Sequence, residues 1–202
     1  SICKQYDIPI IKSTIVKEVH QEIIDKDFYP LVIKGINKKV IHKSELNAVK
    51  LNIKNSDELI SAVAEIKNDL VKNGFGVEEY LIQKYIEKKH ELLIGGFRDP
   101  SVGPVIMFGT GGKYVEVYDD VSIKSCYLCN EDIDDMISKT KIGKILKGVR
   151  GEEPCDISKL TRIIKSCAVM LLENESINEF DINPLILDQN NNFFAVDVRI
   201  KS

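Results

Sequence analysis

The carboxy-terminal end of the chain restricts the fold most, because two alternating segments flank a polar turn. Residues 178–185 read Asn-Glu-Phe-Asp-Ile-Asn-Pro-Leu, and residues 195–200 read Ala-Val-Asp-Val-Arg-Ile. Side chains alternate between the faces of a strand, so Asp181 and Asn183 share the face opposite the apolar residues. Residues 188–192, Asp-Gln-Asn-Asn-Asn, are typical of a turn. The sequence therefore predicts an antiparallel hairpin.

The register of this hairpin suggests a metal site. If the turn centres on Asn190, Asn183 lies opposite Asp197, and Asp181 lies opposite Arg199. An amide oxygen beside a carboxylate suits Mg²⁺, which takes one or two protein oxygens together with waters and substrate phosphates. A hairpin with a solvated polar face is the alternative reading, and the hairpin alone does not decide between them.

Composition excludes several classes of function. The chain has 202 residues, of which 44% are hydrophobic, and a formal net charge of -3. Its scattered lysines give no basic footprint for nucleic acid. No run reaches the roughly 18 apolar residues of a membrane span, so we expect a cytoplasmic protein without a membrane partner. The five cysteines lack a framework of spacings, and we expect free thiols.

Strands and helices mix along the whole chain, which predicts an α+β fold with two lobes joined near residues 83–91. The first residues resemble the end of a helix, and we expect further chain before them. Strands are predicted at residues 30–35, 49–54, 80–86, 91–95, 105–108 and 114–118. Helices are predicted after Ser13 or Thr14 with Val19, Ile23 and Ile24 on one side, after Ser56, near residues 132–145, and after Asp156.

Two local features indicate an anion site without proving one. Lys34 ends a buried strand, where it serves either as a cation for a ligand or as a snorkelling surface lysine. Residues 109–112, Gly-Thr-Gly-Gly, permit close backbone approach, although a tight turn is the commoner reading of such a cluster.

Several blocks together resemble one family, the ATP-grasp domain or beta subunit of the ADP-forming acyl-CoA synthetases, relatives of succinyl-CoA synthetase. The blocks span nearly the whole chain and occur in the order expected for that family. They are residues 32–34 (Val-Ile-Lys), 41–44 (Ile-His-Lys-Ser), 49–51 (Val-Lys-Leu), 96–100 (Gly-Phe-Arg-Asp-Pro), 103–109 (Gly-Pro-Val-Ile-Met-Phe-Gly), 111–117 (Gly-Gly-Lys-Tyr-Val-Glu-Val), 148–151 (Gly-Val-Arg-Gly) and 179–184 (Glu-Phe-Asp-Ile-Asn-Pro).

The resemblance implies a single ATP-grasp domain over residues 1–202, with the nucleotide between two α+β lobes. The small lobe covers about 8–86 and the large lobe about 87–202, to which the first residues can also belong. The cofactor implied is Mg²⁺, held by Asn183 and Asp197, with ATP or ADP as substrate. The implied nucleotide-binding residues are Lys34, Lys43, Gln83, Lys84, Tyr85, Ile86, Glu91 and Arg98.

The resemblance also implies that His42 carries a phosphoryl group between a CoA-binding and ligase alpha partner and ADP. Imidazole suits this task because it is nucleophilic near neutral pH. Glu116 resembles the glutamate that orients the incoming histidine. The alternatives are an exposed loop residue for His42, a structural carboxylate for Glu116 and a turn anchor for Arg98. The complete enzyme is expected to be a hetero-oligomer.

One departure concerns the loop after His42. The family usually has an acidic residue and then a glycine pair there, whereas this chain has Leu46-Asn47-Ala48 after Glu45. Asn tolerates a left-handed backbone and Ala does so less well, so a stiffer loop is expected.

Two other functions remain open from the sequence. One is the regulatory ATP-grasp module of a fused protein lysine acetyltransferase. The other is a succinyl-CoA synthetase beta-type fragment. His42, Asn183 and Asp197 together favour the acyl-CoA synthetase.

Overall fold

The structure is a computed structural model that describes residues 2–20, 24–37, 46–113, 115–149, 151 and 153–202. By its contacts the chain divides into two compact units, a smaller unit of residues 11–86 and a larger unit of residues 1–10 and 87–202. Each unit has an antiparallel sheet with helices packed on one face. The predicted α+β class is confirmed.

The smaller unit contains strands β1 (Ser13–Val16), β2 (Leu31–Ile36), β3 (Val49–Ile53) and β4 (Glu79–Lys84) in the order β1-β4-β2-β3. Helix α2 (Ser56–Lys72) packs its apolar stripe against one face of this sheet. The predicted cap at Ser56 is wrong by one residue, because the Asn55 side chain accepts the hydrogen bond from the Glu58 N–H at 2.9 Å.

The helix predicted after Ser13 is wrong, since those residues form β1. Strand β1 pairs antiparallel with β4, so that Val16 lies opposite Tyr80 and Ser13 lies opposite Gln83. The run Thr14-Ile15-Val16 is β-branched, and such side chains favour a strand over a helix because their χ1 angles are restricted.

The larger unit contains β5 (Lys88–Asp99), β6 (Gly103–Thr110), β7 (Val121–Ser125), β8 (Glu179–Asp188), β9 (Phe193–Ala195) and β10 (Val198–Lys201). The strand order is β10-β8-β5-β6-β7, with β9 also paired to β8. Its helices are α1 (Ile2–Gln5), α3 (Val115–Tyr118), α4 (Asn130–Lys139), α5 (Lys141–Leu146) and α6 (Ile157–Glu173).

Helices α4, α5 and α6 bury their apolar sides against one face of the larger sheet. The single helix predicted near residues 132–145 is two helices, because Thr140 is extended and its hydroxyl accepts from the Gly143 N–H at 3.0 Å to cap α5. Asp156 caps α6 as predicted, through the N–H groups of Ser158 and Lys159. All five cysteines are free, and Cys129 is the exposed one among them. No helix among the described residues is long and apolar enough to cross a membrane.

Candidate functional site

The carboxy-terminal hairpin has the predicted register. Arg199 pairs with Asp181, and Val198 pairs with Ile182. The Asn183 N–H donates to the Asp197 carbonyl at 3.0 Å, so these two residues lie opposite each other. Burial raises the pKa of the Asp181 carboxyl, although the Arg199 guanidinium acts in the other direction.

Asn183 lies at an irregularity shared by three strands. Leu92 pairs with Leu185 and Ile94 pairs with Ile182, so Asn183 and Pro184 together lie opposite one residue of β5. At the same point the other neighbour of β8 changes from β10 to β9. Proline has no N–H to give to a ladder, and bulges of this kind re-aim side chains beside many active sites. Asn183 therefore lies where its backbone departs from regular strand geometry.

A glycine turn packs directly against this bulge. The Gly112 N–H donates to Asn183 Oδ1 at 2.8 Å, and the Gly111 N–H donates to the Glu91 carbonyl at 2.8 Å. Gly112 has φ +89°, a region that favours glycine. A Cβ on Gly112 would overlap the Glu91 carboxylate. The turn thus brings Glu91 and Asn183, two of the predicted site residues, to one place.

Lys88 completes this cluster. Its Nζ lies 3.0 Å from Glu91 Oε1, and the Lys88 side chain is 57% exposed while that of Glu91 is 26% exposed. Lys88 was not among the site residues predicted from the sequence. Its position three residues before Glu91 was the only available signal, and in a strand that spacing places two side chains on opposite faces. The irregular pairing between Lys88 and His90 changes that expectation.

The ligand chemistry of this cluster fits Mg²⁺ completed by a nucleotide. Among the residues described, no three His, Cys, Asp or Glu side chains form a group that could hold a metal ion. An all-protein metal cage is thus lacking within those residues. Asn183 and Asp197 supply one amide and one carboxylate, which is the small protein share that Mg²⁺ takes when phosphates and waters provide the rest.

Glu116 does not lie on a strand. The predicted strand at residues 114–118 is wrong, because Val115–Tyr118 forms the short helix α3 and the Asp119 N–H donates to the Val115 carbonyl at 3.2 Å. The edge of the sheet is instead formed by β7, which pairs with β6 from Val121 onwards. Glu116 is exposed on this helix, where no strand fixes its direction.

Lys34 and Gln83 lie together in the smaller unit. Gln83 pairs with Val32, so its side chain shares a sheet face with those of Val32 and Lys34. Gly35 faces helix α2, so this shared face is the one away from the helix. Lys34 and Gln83 are 9% and 4% exposed. A buried cation and a buried amide on one face form a polar surface within the smaller unit.

Lys84, Tyr85 and Ile86 lie at the end of β4 and directly after it. The Tyr85 N–H donates to the Pro30 carbonyl at 2.9 Å, and Ile86 is the last residue of the unit. Lys84 Nζ donates to the carbonyls of Asp27 at 3.0 Å and Tyr29 at 2.7 Å. The Lys84 ammonium is thus engaged with the chain's own backbone.

Arg98 is engaged in the same way within the larger unit. Its Nε donates to the Ile177 carbonyl at 2.9 Å, and its Nη2 donates to those of Leu171 at 2.6 Å and Asn174 at 2.9 Å. A guanidinium has five donors, and these bonds satisfy two carbonyls at the end of helix α6 and one in the segment that follows it. This geometry favours the structural alternative for Arg98 over a phosphate contact.

His42 and Lys43 lie outside the described residues. The description resumes at Leu46, and Asn47 has φ +52°, the left-handed conformation expected from its side chain. Ala48 is fully buried and its carbonyl accepts the Gly35 N–H at 2.8 Å. The Asn47-Ala48 pair therefore attaches the end of this loop to strand β2.

A family model described as the ATP-grasp domain matches residues 1–201. The chain is 37% identical over 204 residues to the 4-hydroxybutyrate–CoA ligase (ADP-forming) of Nitrosopumilus maritimus, covering 98% of this chain and 29% of that ligase. It is 34% identical over 203 residues to the beta subunit of acetate–CoA ligase (ADP-forming) I of Pyrococcus furiosus, covering 98% of this chain and 87% of that subunit. The chain thus spans under a third of one relative and most of the other.

Solved structures agree with these matches. The dinucleotide forming acetyl-coenzyme A synthetase 1 of Ca. Korarchaeum cryptofilum, in complex with coenzyme A, Ca-AMPCP and HgCl+, has a TM-score of 0.88 at 34% identity, covering 98% of this chain and 88% of that chain. Another structure of that synthetase, with Mg-AMPPCP, has its phosphohistidine segment pointing towards the nucleotide binding site; the TM-score is 0.80 at 32% identity, covering 98% of this chain and 87% of that chain. The predicted ATP-grasp fold is confirmed.

Proposed function

The chain belongs to the ATP-grasp domain family, and we propose that it is the nucleotide-binding part of an ADP-forming acyl-CoA synthetase. The overall reaction is acyl-CoA + ADP + phosphate ⇌ carboxylic acid + CoA + ATP. The observation that carries the proposal is the pairing of Asn183 with Asp197 at a bulge, beside Glu91 and the glycine turn. The relatives are named as ligases, which does not favour a regulatory acetyltransferase module.

The step assigned to this chain is phosphoryl transfer from His42 to ADP. The bond between phosphorus and the imidazole nitrogen breaks, the nitrogen keeps the electron pair, and a β-phosphate oxygen of ADP forms the new bond to phosphorus. Such a transfer depends mainly on positioning and on neutralising charge. Bound Mg²⁺ supplies part of that neutralisation, with Asn183 and Asp197 as its protein ligands.

Apart from Arg98, whose bonds to backbone carbonyls indicate a structural role, the remaining predicted residues bind or position the substrates in this proposal. Lys34 and Lys43 add positive charge for the phosphates, and residues 83–86 and Glu91 bind the nucleoside. Glu116 orients the incoming His42. The CoA-binding and ligase functions belong to an alpha partner, either a separate subunit or another domain of the same polypeptide. We place the protein in the cytoplasm, where its nucleotide substrates are.

Labelling with γ-³²P-ATP and Mg²⁺ tests the carrier histidine. The wild-type chain should acquire an acid-labile, base-stable label, and His42→Ala should abolish it because the acceptor nitrogen is removed. His90→Ala is the matched control and should retain the label, since His90 lies outside the family's blocks. A label that persists in His42→Ala would show that another residue accepts the phosphoryl group.

Titration of ADP binding with Mg²⁺ tests the metal ligands separately. Asp197→Asn should raise the Mg²⁺ concentration needed for half-maximal ADP binding at least about tenfold, because a charged ligand oxygen is lost. Asp134→Asn removes a carboxylate from the exposed side of helix α4 and should leave the titration unchanged. If the two variants need the same Mg²⁺ concentration for half-maximal ADP binding, Asp197 is not a metal ligand.

A further inference from the structure

We propose that Gly112 is a positioning residue for the metal and nucleotide site, acting through Asn183 and Glu91. This inference rests on the proposed function, since it assumes that the Asn183 oxygen binds the metal ion. The glycine turn then has a role in positioning the site as well as in reversing the direction of the chain. Gly112 provides a hydrogen bond that orients one site residue and a space that admits another.

The hydrogen bond determines which atom of the Asn183 amide is available. A side-chain amide has an oxygen that accepts and a nitrogen that donates, and the two exchange places when the amide rotates by half a turn. The Gly112 N–H donates to Oδ1 at 2.8 Å, and only an oxygen can accept that bond. The oxygen keeps a second lone pair for a cation. Without this bond, rotation would present the amide nitrogen, which cannot bind Mg²⁺.

The space above Gly112 admits the Glu91 carboxylate. A Cβ at residue 112 would overlap Glu91 Oε2, while the other carboxylate oxygen lies 3.0 Å from Lys88 Nζ. The Gly111 N–H also donates a hydrogen bond of 2.8 Å to the Glu91 backbone carbonyl. Glu91 is thus held through its carboxylate and its backbone, and any side chain at residue 112 would displace the carboxylate or the turn.

Backbone conformation alone does not account for this arrangement. Gly103, the first residue of β6, has φ +80°, close to the +89° of Gly112. A Cβ on Gly103 would meet no atom within 4 Å. The two glycines therefore share the conformational requirement, and only Gly112 adds the contacts with Asn183 and Glu91. Gly103 is consequently a matched control for Gly112.

The experiment compares Gly112→Ala with Gly103→Ala in the complete chain. Mg²⁺ is titrated at fixed ADP, and the Mg²⁺ concentration for half-maximal ADP binding is measured by calorimetry. Gly112→Ala keeps the backbone N–H, but its Cβ should displace the turn from Asn183 or push the Glu91 carboxylate aside. The Mg²⁺ concentration for half-maximal ADP binding should therefore rise about 10- to 100-fold, the usual effect of disturbing the partner that orients a metal ligand. Gly103→Ala carries the same left-handed backbone cost and should leave it unchanged. Equal titrations in two folded variants would overturn the inference.

Asn183→Ala separates this inference from the proposed function. If Asn183→Ala leaves the Mg²⁺ titration unchanged, the metal site itself is wrong. If Asn183→Ala weakens it and Gly112→Ala does not, the metal site stands and the positioning role of Gly112 is wrong.

A spectroscopic measurement covers the case in which Gly112→Ala does not fold. The chain has 12 glycines, so selective ¹⁵N-glycine labelling gives a small set of amide signals. Asn183→Ala should move the Gly112 amide proton upfield because its hydrogen-bond acceptor is removed. An unchanged glycine spectrum would show that the bond is not formed in solution and would overturn the inference.

Discussion

Two turns flank strand β6, and each is followed by or contains a glycine with a similar positive φ, Gly103 at the first turn and Gly112 in the second. The surroundings of the two turns differ. The turn before β6 is self-contained, since Asp99 Oδ1 accepts the N–H groups of Ser101 and Val102 at 2.8 and 3.0 Å. The turn after β6 contacts Glu91, Leu92 and Asn183, which come from other strands. Two glycines with a similar positive φ can therefore differ in how much stability is lost when a side chain is added, because the surrounding packing differs.

The largest loss of stability is expected for a substitution in the second turn, at Gly111. A Cβ there would overlap the backbone carbonyl of Leu92, which cannot move without disturbing the pairing of β5. Gly111→Ala should lower the free energy of unfolding by about 3 kcal/mol, at the upper end of overpacking costs. Urea denaturation measures this change. A loss below about 1 kcal/mol would mean that the turn moves to make room for the Cβ, so that only the backbone cost of replacing a glycine remains.

Asp120 supports the second turn from its other side and should give the next largest effect. Its carboxylate accepts the Thr110 hydroxyl at 2.6 Å and the N–H groups of Lys141 and Ile142 at 2.6 and 3.0 Å. Asp120→Asn should cost about 2 kcal/mol of unfolding free energy, since hydrogen bonds to a charged group are lost. The measurement is again urea denaturation at neutral pH.

The same carboxylate predicts a pH dependence. Burial alone would raise the pKa of Asp120, but the hydrogen bonds from Thr110, Lys141 and Ile142 outweigh it and hold the pKa below its usual 3.8. The folded-state pKa is lower than the unfolded one, so this stabilisation is present above the unfolded pKa and is lost as the pH falls through the folded pKa. Wild type should therefore lose more stability than Asp120→Asn as the pH falls from about 5 to about 3. Parallel losses would contradict this assignment.

The smallest effect is expected in the first turn. Asp99→Ala removes the acceptor of two backbone N–H groups near the surface and should cost about 1 kcal/mol. Binding of ADP with Mg²⁺ should not change, because the hydrogen bonds of the Asp99 carboxylate go to the N–H groups of its own turn. A shift in the Mg²⁺ titration would show that the two turns are coupled along β6.

Much of the fold followed from side-chain periodicity. Alternation together with a turn centred on Asn190 predicted the hairpin register that places Asp181 opposite Arg199. One face of that hairpin is buried, and a slip of one residue would expose it. Periodicity failed where elements are short. Ser13–Val16 is a four-residue strand that gains its stability from pairing with β4, and Val115–Tyr118 is a single helical turn.

The site followed from the sequence only in part. The pairing of Asn183 with Asp197 was predicted from the hairpin register, and Glu91 was predicted from the resemblance to the family. In the structure the Asn183 N–H bonds the Asp197 carbonyl, and Gly112 contacts both Asn183 and Glu91. The bond between Gly112 and Asn183 spans 71 positions, and no local pattern encodes such a contact. The three carbonyls bound by Arg98 are also distant in the chain, so the sequence suggested a structural role for Arg98 but not the groups that it binds.

The burial of four cysteines has a practical consequence for studying this chain. Burial raises the pKa of Cys126 to about 11 and raises the pKa values of Cys155 and Cys167 as well, so these thiols stay protonated and shielded. The thiolate is the nucleophile that reacts with alkylating reagents, and a protonated thiol reacts far more slowly. Cys129, exposed at the N-cap of α4, is thus the one accessible thiol among the five cysteines of this chain, although Glu131 and Asp132 raise its pKa and slow the coupling. A maleimide fluorophore can therefore be placed at one defined position without removing any cysteine.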